Sequence, residues 1–219
     1  ILVVILYFKL KKNLKHIAIA GNIGVGKTSL AKILSKNYNW KLELESVKNN
    51  PYLSDFYKDM DKWSFHLQIY FLNNRFEQNQ KILNSKKPVI QDRTIYEDEV
   101  IFTKNLYESG YLKKREYDNY LKLFNSIIKY VKPPDLIIYL RNKNIGKLVN
   151  NIEKRDRVFE KSIQIQYLKN LHLSYEKWIK NYNLNKILIV DVTELDFIKN
   201  TKDLEFVIDK INIEVNGLF

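Results

Sequence analysis

The chain has 219 residues, enough for one domain with a substantial core, and its 45% hydrophobic content is ordinary for a globular protein. It contains no cysteine, which excludes disulfides, thiolate metal sites and cysteine nucleophiles and favours a cytoplasmic, reducing compartment. The formal net charge of +12 comes from lysines scattered along the whole chain, and no aromatic RNA-binding signature accompanies them. It therefore reads as a solvated basic surface that also attracts anionic nucleotides, with no nucleic-acid partner expected.

No apolar stretch reaches the roughly 18 residues of a membrane span, so no membrane partner is expected either. Residues 1–8 are an apolar run whose basic residues follow it, whereas a signal peptide carries its charges in front. Residues 1–15 are expected to form an extension outside the core, a membrane-associating or import segment being the alternative. The domain proper is expected over 16–219.

In chain order, residues 16–20 predict a short buried strand ending in a Gly-rich turn, 28–38 a helix, and 42–45 a second strand. A long helix is predicted over 61–86, carrying Phe65, Ile69, Leu72 and Phe76. Residues 88–91 predict a third strand, followed by a helical stretch through Phe102. A further helix over 117–131 is stopped by Pro133-Pro134. Residues 136–140 and 187–190 are all-apolar strands, and 145–154 is a helix. Short apolar strands alternating with helices indicate a parallel sheet covered on both faces. The expected fold is one α/β domain of the P-loop NTPase type: a three-layer sandwich with five parallel strands and helices on both faces, plus a small lid over about 152–161.

Gly21-Asn22-Ile23-Gly24-Val25-Gly26-Lys27-Thr28 fits G-x-x-x-x-G-K-[ST] between a predicted strand and a predicted helix, with Ser29 next on that helix. The glycines let several backbone N–H groups converge on phosphate oxygens, and the helix N-terminus adds partial positive charge there. Lys27 would neutralise the β- and γ-phosphates of ATP, and the Thr28 hydroxyl would ligate Mg²⁺. By chance the four fixed positions match in fewer than about one chain in a hundred.

Such a loop identifies the phosphoryl donor and leaves the acceptor open. Taken alone, Glu45 is an acid leading a loop, and Arg155 with Arg157 a basic pair at a helix end. Asp92-Arg93 places two opposite charges straight after a buried strand. Gln68 and Arg75 are seven residues apart, hence on one helical face.

From about His16 onwards the sequence resembles the deoxynucleoside kinase family, especially its bacterial deoxyadenosine/deoxyguanosine-kinase-like branch. The resemblance is carried by Gly-Asn-Ile-Gly-x-Gly-Lys-Thr, Asn50-Pro51-Tyr52-Leu53-x-x-Phe56-Tyr57, the run Trp63 to Leu72, and Asp92-Arg93-Thr94-Ile95-Tyr96-Glu97-Asp98. It implies that Glu45 is the general base for a 5'-hydroxyl and that Asp92 completes the Mg²⁺ shell. Arg93 then holds Glu45 and the acceptor oxygen. Gln68, Arg75 and Asp98 would recognise the base, and Tyr57 and Glu160 the sugar 3'-hydroxyl. Arg155 and Arg157 would be lid cations, and Phe197 would stack near the donor adenine. Asn151 stands where some family members carry another Arg.

The implied reaction is transfer of the ATP γ-phosphoryl to the 5'-hydroxyl of a small-molecule deoxynucleoside, purine favoured and deoxyadenosine first, in nucleotide salvage. The family also implies a homodimer. The alternatives are a thymidylate-kinase-like nucleoside-monophosphate kinase and a catalytically silent, nucleotide-binding structural subunit.

Overall fold

The computed structural model describes residues 14–45, 47, 50–155, 157 and 163–216. Glu160 and the first thirteen residues of the expected extension lie outside them. Five strands form the sheet: β1 (His16–Gly21), β2 (Lys41–Glu43), β3 (Val89–Asp92), β4 (Leu136–Arg141) and β5 (Lys186–Asp191). All pairings are parallel, as expected, and the order is β2-β3-β1-β4-β5. The chain fills one side of β1 first and the other side second. The crevice at the carboxyl ends of β1 and β3 is therefore the place where such sheets hold ligands.

Each face of the sheet buries its own apolar cluster. On one, Ile17, Ile19, Ile90, Ile138 and Val190 pack against α1 (Lys27–Tyr38) and α9 (Thr201–Asn216). On the other, Ala18, Ala20, Ile137 and Tyr139 pack against a second set of helices. These include α2 (Leu53–Lys58), α3 (Met60–Leu83), α7 (Ile145–Lys154) and α8 (Ile165–Asn181). Alternate side chains of a doubly covered strand serve opposite faces, which is why β1 and β4 read as unbroken apolar runs.

The remaining helical segments run from Ile95 to Tyr130. A single turn, α4 (Ile95–Glu97), passes into a π-helical turn over Asp98–Thr103 and then α5 (Lys104–Glu108). Next come α6 (Lys114–Ile127) and a 3₁₀ turn over Ile128–Tyr130. The long helix α3 starts at Met60 because the Asp59 side chain caps it, accepting from the Lys62 N–H at 3.1 Å. It ends at Leu83, three residues short of expectation, and Phe65 and Phe76 pack at the third cluster with α6.

Candidate active site

α1 has no side-chain cap: Gly26 occupies its N-cap at φ 100°. Its first N–H groups are thus left for a ligand rather than for the protein. Two glycines are dictated by close approach. A Cβ on Gly24 (φ 81°) would sit 2.6 Å from the Leu148 carbonyl oxygen, and one on Gly26 would sit 2.6 Å from the Phe197 ring. Asn151 donates to the Gly24 carbonyl at 3.0 Å, so it ties α7 to the loop. Asn22 braces the other side, donating to the Leu168 carbonyl at 2.9 Å and accepting from the Ile23 N–H. Gly21, Ile23 and Val25 are buried within this loop, and Ser29 is half-buried on the first turn of α1.

Lys27 is buried and donates to the Asn22 carbonyl at 2.9 Å. Burial, then the nearby Arg93 charge, pulls its ammonium down to about 7 against the opposing pull of Asp92, Glu45 and Glu97. Thr28 donates to Asp92 Oδ2 at 2.5 Å, while the buried Oδ1 of Asp92 has no hydrogen-bond partner among the described residues.

Glu45 stands two residues past the end of β2, and 21% of its side chain remains exposed. Its Oε1 accepts from Arg75 Nη2 at 2.8 Å and pairs with Arg93 Nε at 3.2 Å. Burial alone would raise this carboxyl. The Arg93 and Arg75 guanidiniums, helped by Lys27 and Arg157, overturn that and hold it below the usual carboxylate range.

Arg93 has φ 70°, a left-handed conformation costing of order 1–3 kcal/mol for a non-glycine residue. Its N–H donates to the Ile19 carbonyl, and its Nη1 reaches the Gly21 carbonyl at 3.2 Å, Glu97 Oε1 at 3.3 Å and the Tyr175 hydroxyl at 2.5 Å. The Tyr175 hydroxyl itself donates to Glu97 Oε1 at 2.6 Å, and the Phe102 ring lies 4.6 Å from the guanidinium. A capping box between Thr94 and Glu97 fixes the carboxylate that receives these donors.

These groups open on one cavity of about 490 Å³. Lys27, Thr28, Glu45, Asp92 and Arg93 line one part of it, and Arg155 and Arg157 border it as well. Tyr57, Gln68, Asp98 and Phe102 line its other part, with apolar Phe71 and Tyr167. Asp98 is buried, and desolvation raises its carboxyl to about 7 despite Arg75 Nε at 3.5 Å.

Two expected contacts are placed differently. Arg75 lies behind the cavity wall, its guanidinium taken up by Glu45, Asp98, Gln78 (3.1 Å) and the Asp92 carbonyl (3.0 Å). It positions Glu45 and Asp98 instead of facing the base itself. Phe197 is 3% exposed and packs under Gly26 as part of the core, so it offers no open face to a donor adenine. Apolar surface at the end of the last strand is better satisfied under the loop than in solvent.

Sequence reasoning missed Glu97, Thr103 and Tyr175. Glu97 was legible in Thr-x-x-Glu, a capping-box spacing. Tyr175 sits on α8, whose apolar residues Leu168, Leu171, Tyr175 and Ile179 recur at helical spacing. Nothing local marks Thr103.

A phosphate-binding loop beside a buried Asp-Arg pair and a guanidinium-held carboxylate, at the carboxyl edge of a parallel sheet, defines a P-loop phosphotransferase. The family model described as deoxynucleoside kinase matches residues 17–216. The chain is 38% identical to the deoxyadenosine/deoxycytidine kinase of Bacillus subtilis (strain 168), over 89% of this chain and 90% of that one. It is 46% identical to the deoxyadenosine kinase of Dictyostelium discoideum, over 78% and 70%. Among solved structures, deoxyadenosine kinase from M. mycoides with bound dATP superposes with a TM-score of 0.78 at 30% identity, covering 90% of this chain and 98% of that one. The chain belongs to the deoxynucleoside kinase family. It is thus an ATP-dependent phosphotransferase acting on the 5'-hydroxyl of a deoxynucleoside in nucleotide salvage.

Proposed function

We propose that the preferred acceptor is a purine deoxynucleoside, deoxyadenosine first, and that Glu45, Arg93, Lys27, Arg155 and Arg157 carry the transfer. The observation that bears most weight is Glu45, held by Arg75 and Arg93 beside Lys27 at the carboxyl edge of the sheet. A neutral hydroxyl is the acceptor such a carboxylate suits; an acceptor phosphate would call for cations there, which counts against a monophosphate kinase. A silent subunit has no chemical reason to keep Lys27, Thr28, Glu45, Asp92 and Arg93 together.

Glu45 accepts a hydrogen bond from the 5'-hydroxyl and aims the oxygen in line with the γ-phosphorus. Its depressed basicity suits a loose transition state, in which aligning the nucleophile matters more than early proton removal. Lys27, the loop amides and the α1 N-terminus hold the triphosphate. Arg93, joined by Arg155 and Arg157 of the lid, balances charge on the transferring phosphoryl.

The orphan Oδ1 of Asp92 beside the Thr28 hydroxyl is a hard oxygen pair that fits Mg²⁺. Held by Thr28 and Asp92, that ion would neutralise charge on the donor. Tyr57 and Glu160 are assigned to the sugar 3'-hydroxyl, and Gln68 and Asp98 to the base. The Bacillus relative's name joins deoxyadenosine and deoxycytidine, whose bases share an exocyclic amino group beside an unprotonated ring nitrogen. A homodimer through α3 and α6 and a cytoplasmic setting, the latter favoured by a cysteine-free chain, complete the proposal.

The test is a coupled ADP-release assay with Mg·ATP, the four deoxynucleosides, dTMP and dAMP. Turnover is expected with deoxynucleosides, deoxyadenosine leading, and turnover with monophosphates alone would overturn the acceptor assignment. Glu45→Gln should lower kcat by roughly 10²-fold or more while leaving ATP affinity in place; an unchanged kcat removes Glu45 from the reaction.

A further inference from the structure

Thr103 ends the π-helical turn on the side of the cavity where Gln68 and Asp98 stand. Its Oγ1 lies 2.6 Å from the Asp98 carbonyl oxygen and 3.1 Å from Gln68 Oε1. A hydroxyl has one hydrogen, and here two acceptors compete for it. The shorter contact, which closes the i to i−5 turn, claims the hydrogen. Thr103 then faces Gln68 with lone pairs only, and an amide oxygen in that place would be opposed by another oxygen. The two orientations of an amide fill nearly the same space, so hydrogen bonding decides between them.

From this we infer that Thr103 is a specificity-determining positioning residue, which holds the Gln68 amide with Nε2 donating to its hydroxyl oxygen and so presents Oε1 to the acceptor base. The inference rests on the deoxynucleoside-kinase reading of the cavity. Asp98 adds a second acceptor on the same side: its buried Oδ2 is ion-paired with Arg75 Nε at 3.5 Å but accepts no hydrogen bond among the described residues. Two adjacent acceptors call for a donor-rich base edge. An amino group at C6 of a purine or C4 of a pyrimidine offers two hydrogens from one nitrogen; a keto oxygen there would meet two acceptors. The buried groups would be left unpaired, which is the strongest means a site has of rejecting an analogue.

Two substrate pairs isolate the effect, deoxyadenosine against deoxyinosine and deoxycytidine against deoxyuridine, assayed at pH 8 with Mg·ATP. The wild-type chain should favour the amino member of each pair in kcat/KM by at least about tenfold. In Thr103→Val, which keeps the shape and loses the hydroxyl, both ratios should fall towards one while the KM for ATP holds. Thr103→Ser should restore them, and the effect should lie in the amino-to-keto ratios, whereas loss of a merely structural contact would lower kcat/KM for the amino and keto members alike. Unchanged ratios in Thr103→Val would overturn the inference. Should that variant not fold, wild-type protein that turns over amino and keto members equally overturns it as well. Wild-type protein inert towards all four nucleosides would overturn the kinase reading and this inference with it.

Discussion

Lys27 is asked to be a cation in a place that resists one. Its burial and the neighbouring Arg93 bring it from 10.5 to about 7, so near pH 8 the free protein holds it largely neutral. A triphosphate supplies the missing negative charge, and binding should therefore take up a proton. Calorimetry of ATP binding in two buffers of different ionisation enthalpy is expected to show uptake approaching one proton at pH 8 and fading by about pH 6. Lys27→Met should remove it, and equal heats in both buffers would refute the depressed value. The sign for stability follows from the same shift. Between about 7 and 10.5 the unfolded chain binds more protons at this site, so its contribution to stability rises with pH across that window. Asp92 and Arg93 were legible as residues because two opposite charges straight after a buried strand have few structural uses, whereas Glu45 stood out only through the family resemblance. The pairing of Arg93 with Glu45 followed from the resemblance, but that Arg75 would hold Glu45 and Asp98, and Glu97 would hold Arg93, was not legible.

At the scale of elements, the turn from β3 into α4 carries the most constraint. Arg93 adopts its left-handed backbone because the Ile19 carbonyl, Glu97 and Tyr175 together outweigh the strain. Tyr175 contributes from α8, 82 residues away in sequence. Tyr175→Phe should keep the fold, at a stability cost of about 1–3 kcal/mol read from urea denaturation, and lower kcat by about tenfold with the KM for ATP unaltered. A kcat equal to wild type would limit Tyr175 to packing. β1, β4 and β5 were readable because parallel strands inside a covered sheet are near-continuous apolar runs. β2, at the sheet edge, instead alternates apolar and polar residues and spans Lys41–Glu43 against the 42–45 expected. The π-helical turn at 98–103 was not readable, since no local pattern distinguishes it from an ordinary helix. α8 and α9 were missed although their apolar positions recur at helical spacing, as in Leu168, Leu171 and Tyr175 on α8 and Val207, Ile211 and Val215 on α9.

For the whole molecule, α3 and α6 pack on each other through Leu72, Tyr120 and Phe124, while Leu123 on α6 is 43% and Tyr130 in the turn after it 68% exposed. Half-buried Ile69, Phe76 and Leu121 belong to the same cluster. This apolar surface is the one assigned to the proposed dimer, and the reading from helix periodicity could not separate it from core. Light scattering coupled to size exclusion should return twice the chain mass for the wild type and one chain mass for Leu123→Glu. A wild-type monomer at micromolar concentration would remove the dimer.

The parallel α/β class, its five strands and the phosphate cradle were legible in the sequence alone, because each rests on a short-range pattern: apolar runs between helical stretches and glycines at fixed offsets before Lys27-Thr28. The tertiary structure decided what the site residues touch. Arg75 became the support of Glu45, Phe197 went under Gly26, Asn151 was tied to the loop, and Thr103 was set against Gln68. Those pairings span some 30 to 170 residues of chain, and the direction of a buried hydrogen bond depends on every neighbour competing for the same hydrogen, which no local pattern records.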